Sequence, residues 1–474
     1  MLCALAAPAG AGPWDLFGTM GEIERRLSGY EALPGAVLDC GGALPPMTGQ
    51  PLSLANVIDR ALCANPRIRQ TWGVARFRAA QAGGARAADM PTLSLNGQWN
   101  KGSVATEVDG LELSSKRDRE QRNLTAALDW VLYDSGLRAG NIAVADATLR
   151  AAVENQRTTI LLVLREAGQA YYDWRAAQGV LSAAREAEAV AARAVEFARA
   201  RLRLGSATVA DRLQAETGFA QTVVDRVEAE SGLATARATL ALLMATDAES
   251  FPERVDAEAE RPMLANASLP SMTEAALARN PANRGAKAQL ETAQARVRVA
   301  EASSGPVVAL VAGYVRSRQL GAGIGQSFST AVPSGGLQFS VPLFDGGAEW
   351  YQRYAALSQV QVGVEVLDQA VRLVEMEVWK VYHEMNKEAE KQRYGKSLLA
   401  SALESNRAAE LRYQAGAGNL LDLLNSRNAL ATARKQLVQS AAAWRTARLR
   451  LVFLSAQPLR WEPDDEEWVV HVRR

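Results

Sequence analysis

The sequence is poor in histidine and cysteine, on which most metal sites and many nucleophilic sites depend. It has two histidines, His383 and His471, and three cysteines, Cys3, Cys40 and Cys63, with no metal-ligand spacing among them. We therefore expect neither a metal site nor a cofactor. The GxSxG, Walker and Rossmann motifs are also missing, so we do not expect an enzyme.

The few cysteines leave one question of redox state open. In an oxidising compartment Cys40 could pair with Cys63. Two unpaired buried thiols are the alternative, and the sequence does not decide between them.

Long hydrophobic runs are also missing. No run of 18 or more apolar residues occurs, which predicts that no helix spans a membrane. A membrane role would therefore have to use strands. The start, "MLCALAAPAGAG", has no basic residue before Arg25, so residues 1–50 are interpreted as an N-terminal segment with at most a degenerate secretory signal.

The chain also lacks an excess of charge of either sign. The 53 basic residues nearly cancel the 52 acidic ones, which leaves a formal net charge of +1. No overall field therefore draws the chain to nucleic acid or to anionic lipid, and we expect no nucleic-acid partner. Hydrophobic residues make up 48% of the chain, as in ordinary folded proteins.

Two stretches of sequence recur in the same order. "ALCANP" at 61–66 returns as "ALARNP" at 276–281, and "VLYDSG" at 131–136 returns as "PLFDGG" at 342–347. The first pair is 215 residues apart and the second pair 211. One duplicated unit of about 200 residues, with a loop shortened by four residues in the second copy, accounts for both offsets.

This duplication predicts the domain organisation. It comprises an N-terminal segment (1–50), a first structural repeat (51–246), a linker (247–268), a second structural repeat (269–456) and a C-terminal tail (457–474). Each repeat is predicted to contain a helix, a β-hairpin and a long helical hairpin. The β-hairpins are expected at 91–134 and 306–345, and the helical hairpins should turn near residues 205 and 416.

The strands are predicted from alternating polarity. Apolar and polar residues alternate between Leu93 and Asn100 and again between Leu124 and Leu132, and residues 101–123 between them are interpreted as a charged exposed loop. In the second repeat, strands are expected at 307–315 and 337–344, joined by a Gly/Ser-rich loop. Such segments suit a transmembrane barrel and equally a half-buried strand of a soluble sheet.

A long helix is predicted between Leu137 and Leu204. From Leu149 to Leu202, in alternating steps of four and three residues, fourteen of sixteen positions are apolar. A seam with this 3.5-residue period predicts a supercoiled helix, about 100 Å long.

The number of strands limits how they can cross a membrane. Four strands per chain leave two open edges, whose backbone groups have no hydrogen-bond partner in lipid. If these strands span a membrane, several chains must therefore close one barrel together.

Three motifs together resemble the TolC type of outer-membrane efflux channel. They are the doubled "AL..NP" helix start, the "PLFDGG" strand end and the "Y.AG...LLDLL" turn at 413–424, within residues 51–456. The resemblance implies a mainly α fold with a small transmembrane β part. Long coiled-coil hairpins would form an α-barrel continuous with a 12-stranded β-barrel shared by a homotrimer.

The resemblance also implies a function and a location. The chain would be a channel-tunnel in the lipid of the outer membrane, extending into the periplasm, without catalysis of its own. Its partners would be an inner-membrane ABC transporter and a periplasmic adaptor. No lipobox of the drug-efflux members occurs, which favours type I secretion of a polypeptide toxin or haemolysin. The alternatives are a multidrug efflux pump component and a soluble or periplasmic coiled-coil scaffold.

The resemblance places a gate at the two helix reversals. Gly205, Gly416 and Gly418 fall in the turns, and glycine suits the backbone angles that such turns require. Asp422 would line the pore constriction, where three carboxylates of a trimer attract cations and could hold a blocking one. Asn425 stands where the family has a second aspartate, so the predicted ring carries less charge.

A closure contact is also implied. Tyr413 matches the family's closure tyrosine and Asp211 its partner, which predicts a phenol-to-carboxylate hydrogen bond. Gly418 stands where the family has a closure arginine, which predicts a looser gate. The alternative is that Asp211 and Asp422 only cap the helices that return from the turns, since aspartate favours helix N-termini.

Overall fold

A computed structural model shows the fold of most of the chain. It describes residues 52–108, 111–248, 260–262, 268–320, 327–455 and 461–463. The predicted N-terminal segment 1–50 with Cys40, most of the linker and most of the tail lie outside the described residues. Cys63 is disulfide-bonded. The alternative of an unpaired, buried thiol is therefore wrong for Cys63.

The described residues form eight helices and six strands. The helices are α1 (Leu54–Ala64), α2 (Pro66–Ala87), α3 (Leu137–Arg203), α4 (Val209–Leu243), α5 (Leu269–Arg279), α6 (Pro281–Ala302), α7 (Ala348–Gln414) and α8 (Leu420–Leu454). The strands are β1 (Thr92–Val108), β2 (Leu111–Tyr133), β3 (Glu260–Pro262), β4 (Val307–Leu320), β5 (Ser327–Ser340) and β6 (Trp461–Pro463).

The recurring Asn-Pro pair begins a helix each time. Asn65 is the N-cap of α2 and accepts a hydrogen bond from the Arg67 N–H at 3.0 Å. Asn280 caps α6 in the same way, through the Ala282 N–H at 2.9 Å. The following proline fits because the first helical N–H needs no partner.

The four long strands form one antiparallel sheet in the order β1-β2-β4-β5. They extend further than the alternation of polarity predicted. Residues 101–108 and 111–123, expected to lie in a loop, continue β1 and β2, while β4 runs to Leu320 and β5 begins at Ser327. Backbone pairing is satisfied whatever the side-chain polarity, so the loss of alternation does not mark the end of a strand.

One face of this sheet is apolar and exposed. The register places alternate residues of the four strands on the same face, because side chains alternate along each strand. Large apolar side chains exposed on this face are Leu93, Leu95, Trp99, Leu124, Trp130, Leu132, Tyr314, Leu337 and Phe339. A continuous exposed apolar surface of this kind marks an interaction with another protein or with a membrane.

The predicted long helix is confirmed. Helices α3 and α7 have 67 residues each, or about 100 Å at 1.5 Å per residue. Eleven of the sixteen seam positions of α3 are buried and none is exposed. Each long helix packs against the shorter helix that follows it, so α3 with α4 and α7 with α8 form two helical hairpins.

The largest hydrophobic core joins α1, the middle of α3 and the C-terminal part of α8. Tyr171, Tyr172 and Trp174 of α3 are buried there together with Leu449 of α8. Gly168 brings α3 and α8 close together, because a Cβ at this residue would lie 2.0 Å from Leu449 Cδ2. The mainly helical fold with a small β part is thus confirmed. None of the described helices combines the length and the apolar composition needed to cross a bilayer.

Candidate functional site at the hairpin tips

Each helical hairpin reverses at a tip turn, the first at 204–208 and the second at 415–419. Gly205 and Gly416 adopt left-handed backbone angles, with φ of 71° and 77°. In both turns a backbone N–H returns to the last helical turn, from Ser206 to the Arg201 carbonyl and from Ala417 to the Arg412 carbonyl, each at 2.9 Å. Glycine fits here because it adopts positive φ without steric cost.

Gly418 is held in place by close packing. An added Cβ would lie 3.1 Å from the Arg412 Cβ and 3.1 Å from the Tyr413 nitrogen. The Gly418 N–H also donates to the Arg412 carbonyl at 3.0 Å. A side chain at the position expected to carry a closure arginine in the family would therefore require Arg412 and Tyr413 to shift by a few tenths of an ångström.

The capping interpretation is confirmed for Asp211. Thr208 is the N-cap of α4, and its hydroxyl accepts from the Asp211 N–H at 3.1 Å. The Asp211 carboxylate accepts in return from the Thr208 N–H and hydroxyl, both at 2.8 Å. This capping box satisfies N–H groups that the first helical turn leaves free. Its hydrogen bonds hold the pKa of Asp211 below the usual value.

Asp422 occupies the same position in α8 but is not used in this way. Asn419 caps α8 and accepts from the Asp422 N–H at 2.7 Å. Among the described residues no group donates a hydrogen bond to the Asp422 carboxylate, and the side chain is exposed. Asn425, three residues further, is exposed too and lies on the same side of the helix. Of the two aspartates, Asp422 is therefore the one whose carboxylate is available to solvent and ions.

The predicted hydrogen bond between Tyr413 and Asp211 is absent. The Tyr413 side chain is buried, and its hydroxyl has no hydrogen-bond partner within the described part of the chain. Burial raises the pKa of this phenol. The prediction is wrong because Thr208, only three residues from Asp211, already donates its N–H and its hydroxyl to the Asp211 carboxylate.

Arg201 forms the contact between hairpins that the sequence reasoning missed. Its Nη1 donates to the Tyr413 carbonyl at 3.3 Å, and its Nη2 donates to the Ser206 carbonyl at 3.1 Å. The guanidinium also lies 5.3 Å from the centre of the Tyr413 ring. One cation thus joins the first tip turn to the end of α7. A basic residue in the last turn of a helix, where carbonyls lack partners, was the available signal.

A small apolar core lies beneath these polar contacts and also joins the hairpins. Its buried members are Val195, Ala198, Ala215, Ala409, Tyr413, Leu420 and Leu423. Further from the tip, Arg427 of α8 donates to the Val190 carbonyl of α3 and to Glu410 of α7, both at 3.5 Å. The two hairpins are therefore held together at the tip by one buried patch and by two arginines.

The capping box predicts a difference between the two aspartates. Asp211→Ala should destabilise the first turn of α4 by about 1 kcal/mol, measured as faster hydrogen exchange at the tip. The control Asp422→Ala should leave α8 protected, because Asn419 supplies that cap. Since the folded pKa of Asp211 is lowered, its contribution is complete above the ordinary carboxyl pKa and is lost as the pH falls through the lowered value. Equal exchange in the two variants would contradict the assignment.

Comparison with known proteins places this geometry in a family. The family described as "Outer membrane efflux protein" matches residues 57–246 and 272–457. Protein CyaE of Bordetella pertussis is 29% identical over 402 residues, which cover 85% of this chain and 83% of CyaE. Outer membrane efflux protein BepC of Brucella suis is 25% identical over 318 residues, 66% of this chain and 67% of BepC.

Solved structures show the same fold. The outer membrane protein VceC of Vibrio cholerae superimposes with a TM-score of 0.71 at 18% identity, covering 86% of this chain and 97% of VceC. The CmeC outer membrane channel of Campylobacter jejuni gives 0.74 at 15% identity, covering 88% and 87%. The chain therefore belongs to the outer membrane efflux protein family, whose members are transport channels, and is located in the outer membrane with its helices in the periplasm.

Proposed function

We propose that three copies of this chain close one 12-stranded barrel in the outer membrane. The observation that carries this proposal is the exposed apolar face on a sheet whose outer strands, β1 and β5, have no further strand paired to them in the described residues. Such edges are not stable in lipid unless another chain completes them. Three copies give the 12 strands of the family resemblance, whereas two copies would give eight.

The helical hairpins continue from this sheet as the wall of a tunnel. Helices α3 and α7 begin directly after β2 and β5 in the chain, at Leu137 and Ala348. Their length of about 100 Å suits a wall that crosses much of the periplasm. Six hairpins in a trimer would form an α-barrel with six tip turns at its periplasmic end.

The proposed transport is type I secretion of a polypeptide toxin or haemolysin. The channel would work with an inner-membrane ABC transporter and a periplasmic adaptor docked at the tips. The closer similarity to CyaE than to BepC supports this choice. BepC, an efflux protein by name, supports the alternative of a multidrug efflux pump. A soluble scaffold is the wrong alternative, because the protein is in the outer membrane.

The tips are proposed to form the gate. Asp422 would contribute one carboxylate per protomer to a ring around the channel axis, with Asn425 beside it. The exposed, unengaged Asp422 carboxylate supports this role. Arg201, which joins the hairpins through the Tyr413 carbonyl, would hold the gate closed in place of the predicted link between Tyr413 and Asp211. Any cation block would occur at Asp422.

The proposal predicts a membrane-embedded trimer that restores secretion. In a Gram-negative host that lacks its own tunnel protein, the chain should fractionate with the outer membrane and run as a heat-modifiable trimer on a gel. With a haemolysin-class polypeptide, its ABC transporter and its adaptor, cargo should reach the medium. Reduced drug susceptibility without secreted cargo would favour the efflux alternative. A water-soluble monomer or an eight-stranded dimer would refute the proposed assembly.

A further inference from the structure

The apolar face of the sheet ends abruptly in basic residues on the side away from the helices. On β2 the residues of this face are apolar from Leu132 to Leu124, and the next residue on the same face is Arg122. On β4 the apolar run of this face ends at Tyr314, which is followed on the same face by Arg316 and Arg318 before the strand ends at Leu320. We call Lys101, Arg122, Arg316 and Arg318 the basic cluster.

The strand register brings these cations together. Arg122 of β2 lies directly opposite Arg318 of β4, and Arg316 lies opposite Leu124, one step along the same face. On the other side of β2, Lys101 of β1 lies opposite Glu120. Directly opposed side chains in an antiparallel pair lie about 5 Å apart at Cβ, where like charges destabilise the sheet. An anion bound between Arg122 and Arg318 would reduce this repulsion.

Glu120 supplies only part of the negative charge needed to balance the basic cluster. Glu120 accepts from Arg122 Nε at 2.8 Å and from Nη2 at 2.6 Å. Arg316 and Arg318 are exposed and form no hydrogen bond or ion pair with any residue that the structure describes. Four cations against one carboxylate leave these five side chains with a net charge of +3. The two arginines of β4 therefore have free donors on the same face as the apolar surface.

The basic cluster lies about one membrane thickness from the helical end of the sheet. Ten residues separate Leu132 from Arg122, which is roughly 34 Å along a strand. At a tilt of about 45° this corresponds to roughly 24 Å, close to the height of the apolar band on outer-membrane barrels, about 25 Å. Because the helices extend into the periplasm, the cluster lies at the outer surface of the membrane.

An aromatic side chain marks the same boundary. Trp99 of β1 lies opposite Arg122 in the register and is 67% exposed. Its indole Nε1 donates to Glu120 at 3.0 Å, so its polar edge is turned toward the charged groups. Tryptophan is enriched where the apolar core of a membrane meets the headgroups. Trp99 and the arginines thus lie at about the same level of the sheet, where the apolar surface ends.

We propose that the basic cluster binds phosphate groups of lipid headgroups in the outer leaflet, with Arg316 and Arg318 as the principal donors. Guanidinium groups bind phosphate oxygens through two parallel hydrogen bonds, which gives strength and fixed geometry. The bound phosphate would offset the repulsion between the opposed charges of Arg122 and Arg318, and the lipid would therefore stabilise the sheet. This inference rests on the proposed barrel, because only that assembly turns the apolar face toward lipid.

The test compares the purified trimer with the double variant Arg316→Gln/Arg318→Gln. Diphosphoryl lipid A is added to the trimer in neutral detergent, and bound lipid is counted by native mass spectrometry. The variant should bind lipid A at least about 10-fold more weakly, because two charge-assisted contacts are lost. The control is Arg296→Gln/Arg298→Gln on α6, which removes two exposed charges at the same spacing and should bind as the unmodified trimer does.

Three results would overturn the proposal. They are equal lipid A binding by the sheet variant and the unmodified trimer, equal binding of dephosphorylated lipid A, and full competition by inorganic phosphate at equal concentration. The last two would assign the surface to apolar contact alone or to a free-phosphate site. Gel mobility of the unheated sample separates this test from the proposed function. If the unmodified protein is not a trimer, the barrel fails, whereas a trimer with unchanged lipid binding refutes only this inference.

Discussion

Asp422→Ala should remove most of the block of the channel by a trivalent cation and lower its cation selectivity in planar bilayers. By Coulomb's law, a carboxylate about 6 Å from a trivalent ion contributes about 2 kcal/mol even in water. Three such groups in a trimer act together, although salt screens each of them. We therefore expect the blocking concentration to rise at least about 10-fold, and the effect to be largest at low ionic strength.

The control for this prediction is the matched aspartate of the first hairpin. Asp211→Ala removes a carboxylate at the same position of its helix, but one that Thr208 engages, so block should change little. Asn425→Asp provides the opposite test, because it adds a second carboxylate one turn away and should strengthen block. If Asp422→Ala leaves both selectivity and block unchanged, Asp422 does not line the constriction.

Local chemistry made most of the fold predictable. Pro66 and Pro281, each after an asparagine, mark helix starts because the cap and the proline act within one turn. Gly205 and Gly416 mark the reversals because positive φ is needed there. The full length of the strands was not predictable in the same way. Between residues 101 and 123 apolar and polar residues no longer alternate. The pairing of β1 with β2 continues there because it is formed by backbone hydrogen bonds.

The candidate site shows where prediction from the sequence stops. The position of Asp422 was predicted from the resemblance, but its free carboxylate depends on Asn419 acting as the cap. For Asp211, the pattern T-x-x-D at 208–211 indicates a capping box. The structure forms these local hydrogen bonds with Thr208 and not the predicted one with Tyr413. The contact of Arg201 depends on the packing of two hairpins more than 200 residues apart in sequence. No local pattern specifies that distance.

The second large effect concerns Arg201, whose replacement by methionine should open the gate. The substitution keeps an apolar stem but removes both hydrogen bonds, to the Tyr413 carbonyl and to the Ser206 carbonyl. Because the side chain is partly exposed, we expect a loss of about 1 kcal/mol per protomer. If the three protomers of the proposed trimer open together, the ratio of closed to open channels falls by roughly 100-fold. The measurement is open probability in planar bilayers.

Two further substitutions decide which contact closes the gate. Tyr413→Phe removes only a buried hydroxyl that has no hydrogen-bond partner in the described chain, so gating should stay as in the unmodified channel. Arg203→Met removes a neighbouring exposed cation and should be equally silent. Opening by Tyr413→Phe would instead support the link to Asp211. Because Arg201 donates to the Tyr413 carbonyl, which the Tyr413→Phe substitution leaves in place, we expect only the Arg201 variant to let the second hairpin, and with it Asp422, move away from the first.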